Sequence, residues 1–207
     1  MQPDVSLGVA LYDYAPNIVF FFGIYWIIKS LKNELSKSST YLMVFASALI
    51  IIAGILKATW KLIIALSGSD VRILSDIMFP IMGIGFFIIF IVLLMVVIRK
   101  NPEKSFKPLA IASSKKIFLP LMIIGGMGTS ICLLIISWRK KARPAFVLFI
   151  IEMIMTLALG FVGKKFEVVT NFGVFLEETL NLSSRTVWML GCYYLYKKSS
   201  ELNPLIK

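Results

Sequence analysis

The chain alternates between long apolar runs and short polar stretches that hold most of its charged residues. Each run is close to the about 20 residues that an α-helix needs to cross a bilayer. A helix is the expected structure there, because it satisfies its backbone hydrogen bonds internally where water is absent. The predicted spans are Leu7 to Ile28, Tyr41 to Leu66, Ile77 to Ile98, Ile117 to Trp138, Ala145 to Gly163 and Phe172 to Tyr196.

The first and last runs are less regular than the other four. Pro16 lies inside the first run, where it either kinks one helix or opens a shorter helix in whose first turn its missing amide costs nothing. We predict an all-α membrane bundle in which residues 1–207 form one domain with six spans. The alternative is five spans and a peripheral or re-entrant last helix, because half of the last run is polar, with Glu177, Glu178, Asn181, Ser183, Ser184 and Arg185.

The distribution of Lys and Arg among the loops bears on the number of spans. With six spans the basic residues divide almost evenly between the two sides, whereas five spans place most of them on one side, as the positive-inside rule prefers. We retain six because Trp188 to Tyr196, followed by Lys197 and Lys198, is typical of a helix end at a membrane interface. Both versions place the acidic N terminus outside the cell and the loop from Arg99 to Lys116 in the cytoplasm.

The composition supports an integral protein of the cell membrane. Hydrophobic residues make up 58% of the chain and charged residues 16%, against about 25% charged residues in a soluble domain. The net charge of +11 does not indicate nucleic-acid binding, because the basic residues flank apolar runs. The expected partner is the lipid bilayer, and a second copy of the chain or another membrane protein is a further candidate.

Several kinds of site are excluded by what the chain lacks. With no histidine there is no Ser-His-Asp triad, no HExxH zinc site and no histidine-ligated haem, and no phosphate-binding P-loop sequence occurs. Cys132 and Cys192 lie in different apolar runs and form no metal or redox pattern. We expect no cofactor and no metal, and an enzyme is the less favoured class. The N terminus lacks the basic region of a signal peptide, so we expect no cleavage.

Ionisable residues inside the apolar runs are the candidate functional residues, because each costs about 2.5–3.5 kcal/mol at membrane depth by insertion scales. Lys57 and Lys61 share a helix face beside Trp60. We interpret them either as a cationic patch or as side chains that snorkel to the membrane surface. Glu152 lies in the middle of its run, so it must be protonated, paired with a cation or exposed to a polar cavity.

A polar stripe is predicted on the last helix. Glu177, Asn181, Arg185 and Trp188 follow spacings of four, four and three, and Glu178 and Ser184 flank them. Such a stripe is expected to face the bundle interior. Arg185 stays charged when buried and needs an acceptor, for which Glu152 in a direct ion pair is one candidate. The simpler interpretation is that Glu and Arg residues of this helix only satisfy each other.

Two glycine-rich segments, Met82 to Gly85 and Gly125 to Ser130, lie in the third and fourth spans. Small residues usually allow close helix packing. The alternative is a broken helix whose exposed backbone amides bind a ligand, as in many transporters.

Three functional hypotheses follow. The first is binding and translocation of a small molecule or ion, with an anion preferred. The second is a membrane-embedded sensor or assembly subunit in which the charges only lock helices together. The third is a lipid-modifying enzyme, ranked last because adjacent residues such as Glu177 and Glu178 diverge by about 100° on a helix. The candidate binding residues are Lys57, Trp60, Lys61, Glu152, Glu177, Glu178, Asn181 and Arg185.

Overall fold

The structure is a computed structural model that describes residues 5–98, 115–165 and 170–202. Within these ranges all regular elements are α-helices: α1 Leu7–Tyr12, α2 Ala15–Ser30, α3 Lys37–Ser67, α4 Arg72–Ile98, α5 Lys115–Arg139, α6 Arg143–Lys165 and α7 Asn171–Leu202. Five described segments are long and apolar enough to cross a membrane: Leu7–Ser30, Lys37–Ser67, Arg72–Ile98, Pro120–Arg139 and Arg143–Phe161. The prediction of an all-α membrane bundle is therefore confirmed.

The first predicted span consists of two helices, α1 and α2. The Ser6 side chain caps α1 by accepting a hydrogen bond from the Val9 amide. Pro16 lies in the first turn of α2, where no intrahelical partner is needed for its nitrogen. Pro16 thus opens a shorter helix, and the junction before it places Asp13 between the two helices.

Helix α7 has the length of a span but is less apolar than the other long helices. It runs parallel to α1 and α2, with the rings of Tyr12 and Phe175 in contact near its start and those of Trp26 and Tyr196 near its end. Its other neighbour is α6. The helix therefore packs along the whole of α2, but it is not among the five described segments that are apolar enough to cross a membrane, so both six spans and five spans stay predictions. Its polar residues are tolerated because they face other helices.

One end of the bundle is strongly basic, and we call it the basic end. Lys140, in the turn between α5 and α6, donates hydrogen bonds to the Ser30 carbonyl at the end of α2 (2.9 Å) and to Ser199 Oγ near the end of α7 (3.0 Å). Its Nζ also lies 2.5 Å from a carboxylate oxygen of Glu34, in the loop after α2. The basic residues at this end are Lys29, Lys32, Lys37, Arg139, Lys140, Lys141, Arg143, Lys197 and Lys198.

Helices α4 and α5 run parallel and pack through glycines. A Cβ atom on Gly83 would lie 2.8 Å from the carbonyl oxygen of Phe118, and one on Gly128 would lie 2.5 Å from the ring of Phe90. These contacts advance in the same direction along both helices. Helix α5 is continuous through Gly125 to Ser130, so the broken-helix alternative is wrong, and Gly125 and Gly128 serve close packing.

This parallel pair corrects the predicted arrangement of the loops. Arg139 Nη1, at the end of α5, donates to the Val97 carbonyl near the end of α4 (2.6 Å), so both helices end at the basic end. The basic loops after α2 and after α5, predicted on opposite sides, therefore lie at the same end. The prediction failed because it assumed that each helix runs antiparallel to the helix before it in the chain. The loop from Arg99 to Lys116, predicted to be cytoplasmic, lies outside the described residues except for the backbone of Lys115 and Lys116.

The half of the bundle nearest the basic end is a dense apolar core. It contains buried side chains from all the long helices, including Ile27, Leu31, Met43, Leu93, Leu133, Phe149 and Leu195. Aromatic residues surround this end, as is typical of a membrane interface; they are Tyr25, Trp26, Tyr41, Trp138, Tyr193, Tyr194 and Tyr196. The tyrosines predicted near the end of the last helix lie at this end, whereas Trp188 points into the bundle.

Candidate ligand-binding cavity

The half of the bundle farther from the basic end contains a cavity of about 530 Å³, within the size range of small-molecule sites. Helices α3 to α7 and the segment from Asp13 to Phe20 form its wall. Five methionines line it: Met78, Met82, Met122, Met127 and Met153. The polar lining residues are Asp13, Asn17, Lys57, Thr129, Ser130, Glu152, Thr156, Glu177, Asn181 and Arg185.

One end of the cavity is more accessible than the other. Lys57 and Glu177, at the end that we call the mouth, are 17% and 23% exposed in their side chains. Glu152 and Trp188, at the end that we call the floor, are 4% and 2% exposed. The floor rests on the apolar core that extends to the basic end, so ligand access is from the mouth side.

A charge cluster stands at the mouth and consists of Asp13, Lys57, Lys61, Glu177 and Glu178. Lys57 Nζ lies 2.6 Å from Glu178 Oε1, 3.3 Å from Glu177 Oε1 and 3.8 Å from Asp13 Oδ1. Lys61 Nζ contacts the same oxygen of Glu178 and lies 3.2 Å from Asp13 Oδ2. The Glu178 side chain is fully buried, and these ion pairs join the α1–α2 junction, α3 and α7.

The contacts of the cluster revise two interpretations of the sequence. Lys57 and Lys61 do not snorkel outwards, since both ammonium groups point to carboxylates inside the bundle. Glu177 and Glu178 start in different directions on α7, as expected, yet both reach the Nζ of Lys57. Divergence on a helix therefore does not keep the two carboxylates apart, because Lys57 lies between them.

The position of the cluster along the helices explains why so many charges are tolerated. Lys57 lies about 30 Å along α3 from Lys37, and Lys37 is at the basic end. That distance equals the thickness of the hydrocarbon core of a typical bilayer. A membrane with one boundary at Lys37 would therefore have its second boundary at the level of the charge cluster.

Glu152 lies at the floor and has hydroxyl partners. Ser130 Oγ donates to its Oε2 (2.8 Å) and Thr156 Oγ1 donates to its Oε1 (2.9 Å). Ser184 Oγ lies 3.1 Å from Thr156 Oγ1 and extends this network to α7. Of the alternatives that the sequence left open, the direct cation pair is not formed among the described residues, and Glu152 lines the polar cavity.

Arg185 faces the cavity between two aromatic rings. Its guanidinium carbon lies 5.6 Å from the ring centre of Phe20 and 5.3 Å from that of Phe86, a cation–π arrangement. In the described part of the chain no carboxylate or carbonyl accepts a hydrogen bond from it. The predicted direct pair with Glu152 is not formed: Arg185 makes no ion pair or hydrogen bond with it.

Trp60 does not belong to the site. Its indole N–H donates to Asp70 Oδ1 (2.9 Å) in the loop after α3. This hydrogen bond, together with that from Arg72, holds the pKa of Asp70 below its usual value. Trp60 therefore holds the loop between α3 and α4 in place through its hydrogen bond to Asp70.

The stripe predicted on α7 is borne out by the cavity lining, which includes Glu177, Asn181, Arg185 and Trp188. Asn181 also donates to Glu178 Oε2 (3.4 Å). Sequence reasoning missed several polar members of the site, since hydroxyl and amide residues are common inside apolar helices and carry no charge signal. The missed residues are Asp13, Asn17, Thr129, Ser130 and Thr156.

No family model matches the chain, and no curated protein and no solved structure is significantly similar to it. The chemistry of the cavity residues is therefore the basis of the functional argument.

Proposed function

We propose that the protein binds a small organic anion in the cavity and carries it across the membrane, with Arg185 as the main contact. The observation that supports this is the guanidinium of Arg185, which lines the cavity without an acceptor in the described ranges. A guanidinium has five N–H donors and stays charged when buried. The Arg185 side chain is half-buried in the cavity wall, and a bound anion would supply the missing acceptor.

The other cations at the cavity already have acceptors. The two lysines of the charge cluster contact its three carboxylates, and two hydroxyls donate to Glu152. Thr129 offers a further donor at the floor, because its buried hydroxyl has no hydrogen-bond partner among the described residues. A ligand with an acidic group would therefore give Arg185 the acceptor that it lacks.

Transport requires that the floor open towards the basic end while the mouth closes. The contacts that hold the basic end shut converge on Lys140, which joins α2, the loop after it and α7. The charge cluster holds the mouth in a similar way. Alternation between these two sets of contacts would expose the cavity to each side in turn.

The structure also suggests an orientation. Nine Lys and Arg residues of the described ranges lie at the basic end, against seven towards the mouth end (Lys57, Lys61, Arg72, Lys115, Lys116, Lys164 and Lys165), and an excess of positive charge next to spans is typical of the cytoplasmic side. The basic end would then face the cytoplasm, and the mouth of the cavity would face outwards. This orientation keeps the N terminus outside, as the sequence predicted.

Cysteine labelling tests the arrangement of the ends. In a background with Cys132→Ala and Cys192→Ala, we introduce single cysteines at the exposed positions Asn33, Arg143 and Ser69. We expect an impermeant maleimide to reach Asn33→Cys and Arg143→Cys only from the cytoplasmic face, and Ser69→Cys only from outside. Labelling of Asn33→Cys and Arg143→Cys from opposite faces would contradict the common end.

Replacement of Arg185 tests the proposed function. We expect Arg185→Gln to change the melting temperature little, because the side chain is half-buried and its described contacts are the cation–π contacts with Phe20 and Phe86. It should also reduce at least tenfold the affinity for organic anions. The measurement is the shift in melting temperature of the protein in lipid nanodiscs with benzoate, decanoate, glutamate or phosphate, since a ligand of the folded state raises stability by mass action.

Two further variants control for general damage to the site. Arg185→Lys retains the charge but loses the planar fork that matches a carboxylate, so it should bind with intermediate affinity. Asn33→Gln, at the basic end, should leave the ligand-induced shift unchanged. A large loss of stability in Arg185→Gln, with no anion stabilising the wild type, would favour the assembly-subunit hypothesis instead.

A further inference from the structure

The wall of the cavity is thin in the half of the bundle near the mouth. Phe79 on α4, Ile123 on α5 and Leu157 on α6 line the cavity, and these residues are 38%, 50% and 49% exposed. A large apolar residue that lines a cavity and is this exposed lies in a wall one side chain thick or at the edge of an opening.

The opening lies between α5 and α6. These helices are joined at the basic end, and Ser130 and Glu152 still connect them across the floor. Beyond that level the cavity separates them, with Gly126 on one side and Gly160 on the other, and a Cβ on either glycine would meet no atom within 4 Å. Each helix instead packs closely on its other neighbour, α5 on α4 and α6 on α7.

The lining of the cavity combines an adaptable apolar wall with one cationic anchor. Methionine side chains are flexible and fit irregular apolar ligands, and five of them line this cavity. Arg185 is the cation at the floor half, with the carboxylate of Glu152 near it. One guanidinium beside a carboxylate suits a single negative charge better than a doubly charged phosphate, and its planar fork matches a carboxylate.

We propose that the ligand is a long-chain carboxylate that enters from the bilayer between α5 and α6. Its carboxylate binds Arg185, and its hydrocarbon chain lies along the methionine wall towards the opening. This inference rests on the proposed function and adds the substrate class and the entry route. Lateral entry also explains why the wall is apolar where it meets the lipid.

Quenching of Trp188 fluorescence tests the ligand class, because Trp188 is buried and lines the cavity. A variant with Trp26→Phe, Trp60→Phe and Trp138→Phe retains Trp188 as its single tryptophan, and its melting curve shows whether it folds. In nanodiscs, we expect bromoundecanoate to quench Trp188 saturably. Arg185→Gln should raise the half-saturating concentration at least tenfold, while bromopropionate and bromoundecyltrimethylammonium should give no saturable quenching.

A bulky residue at the opening tests the entry route. Gly160→Phe should slow the association of bromoundecanoate at least fivefold in stopped-flow quenching, because the new ring projects into open space between the helices. Gly8→Phe is the matched control, since Gly8 on α1 also has open space around it but lies away from the cavity. Equal association rates in the two variants would overturn lateral entry.

The outcomes separate this inference from the proposed function. Bromopropionate is compared with bromoundecanoate at the same concentrations. If bromopropionate also quenches saturably and in an Arg185-dependent way, the anion site is supported and the long-chain ligand is overturned. Equal quenching by the brominated acid and the brominated ammonium compound would show a cavity that takes any chain, which overturns the role of the carboxylate. If no anion gives saturable quenching or a thermal shift, both proposals are wrong.

Discussion

Glu178→Ala is expected to destabilise the protein by about 3–5 kcal/mol, the range measured when one partner of a buried ion pair is removed. Glu178 is fully buried and contacts the ammonium groups of both Lys57 and Lys61. Removing it leaves two cations one helical turn apart, with Asp13 and the partly exposed Glu177 as the remaining acceptors. The free energy of unfolding or the melting temperature in nanodiscs measures the loss.

The neighbouring residue supplies a matched control. Glu177→Gln removes a carboxylate of the same cluster, but this side chain is partly exposed and lies 3.3 Å from Lys57 alone. It should therefore cost no more than about 1 kcal/mol. In addition, Glu178→Leu combined with Lys61→Met should be more stable than Glu178→Ala, because a buried pair can be replaced by apolar residues at little cost. Similar losses in Glu177→Gln and Glu178→Ala would show that the cluster is solvated.

The helices could be predicted from the sequence because their cause is local. Each run of apolar residues of spanning length must form a helix in lipid, and Pro16 can occupy only a few positions in such a helix. The face of α7 that lines the cavity was predictable for the same reason, since residues spaced by three and four lie on one side of a helix. Both predictions need no knowledge of the neighbouring helices.

The partners of the charged residues depend on which helices are neighbours, and sequence spacing does not contain that information. Glu152 was a natural acceptor for Arg185 by charge alone. In the structure Ser130 and Thr156 donate to it instead, which leaves Arg185 without the direct pair. Asp13 was missed because it precedes Pro16 near the start of a span, where an acidic residue usually meets water.

The direction of α5 could not be predicted either. The positive-inside rule compares the numbers of Lys and Arg residues in the loops on the two sides, and each loop is assigned to a side by assuming that successive helices run in opposite directions. The parallel packing of α4 and α5 breaks that assumption. The evidence for the parallel pair is in the glycines, whose spacing allows close approach but does not say from which side the neighbour comes. The contacts of Gly83 and Gly128 supply that direction.

Two adjacent glycines of α5 are expected to respond in opposite ways to substitution. A Cβ on Gly125 would lie 2.7 Å from backbone atoms of Phe86 and Phe87 on α4. Backbone cannot move aside like a flexible side chain, so Gly125→Ala should cost about 3 kcal/mol, the upper part of the usual range for overpacking. Gly126 has no atom within 4 Å of its Cβ position, so Gly126→Ala should stabilise the helix by about 0.5–1 kcal/mol.

The same pair separates packing from ligand binding, because Gly126 lines the cavity and Gly125 does not. Gly126→Leu should leave the melting temperature of the ligand-free protein close to that of the wild type, since its side chain enters open space. It should reduce at least tenfold the affinity for the anions that stabilise the wild type, because it occupies part of the cavity. Gly126→Ala serves as the small-residue control, with affinity close to wild type. Unchanged ligand affinity in Gly126→Leu, in a protein that melts normally, would place the anion site outside the cavity.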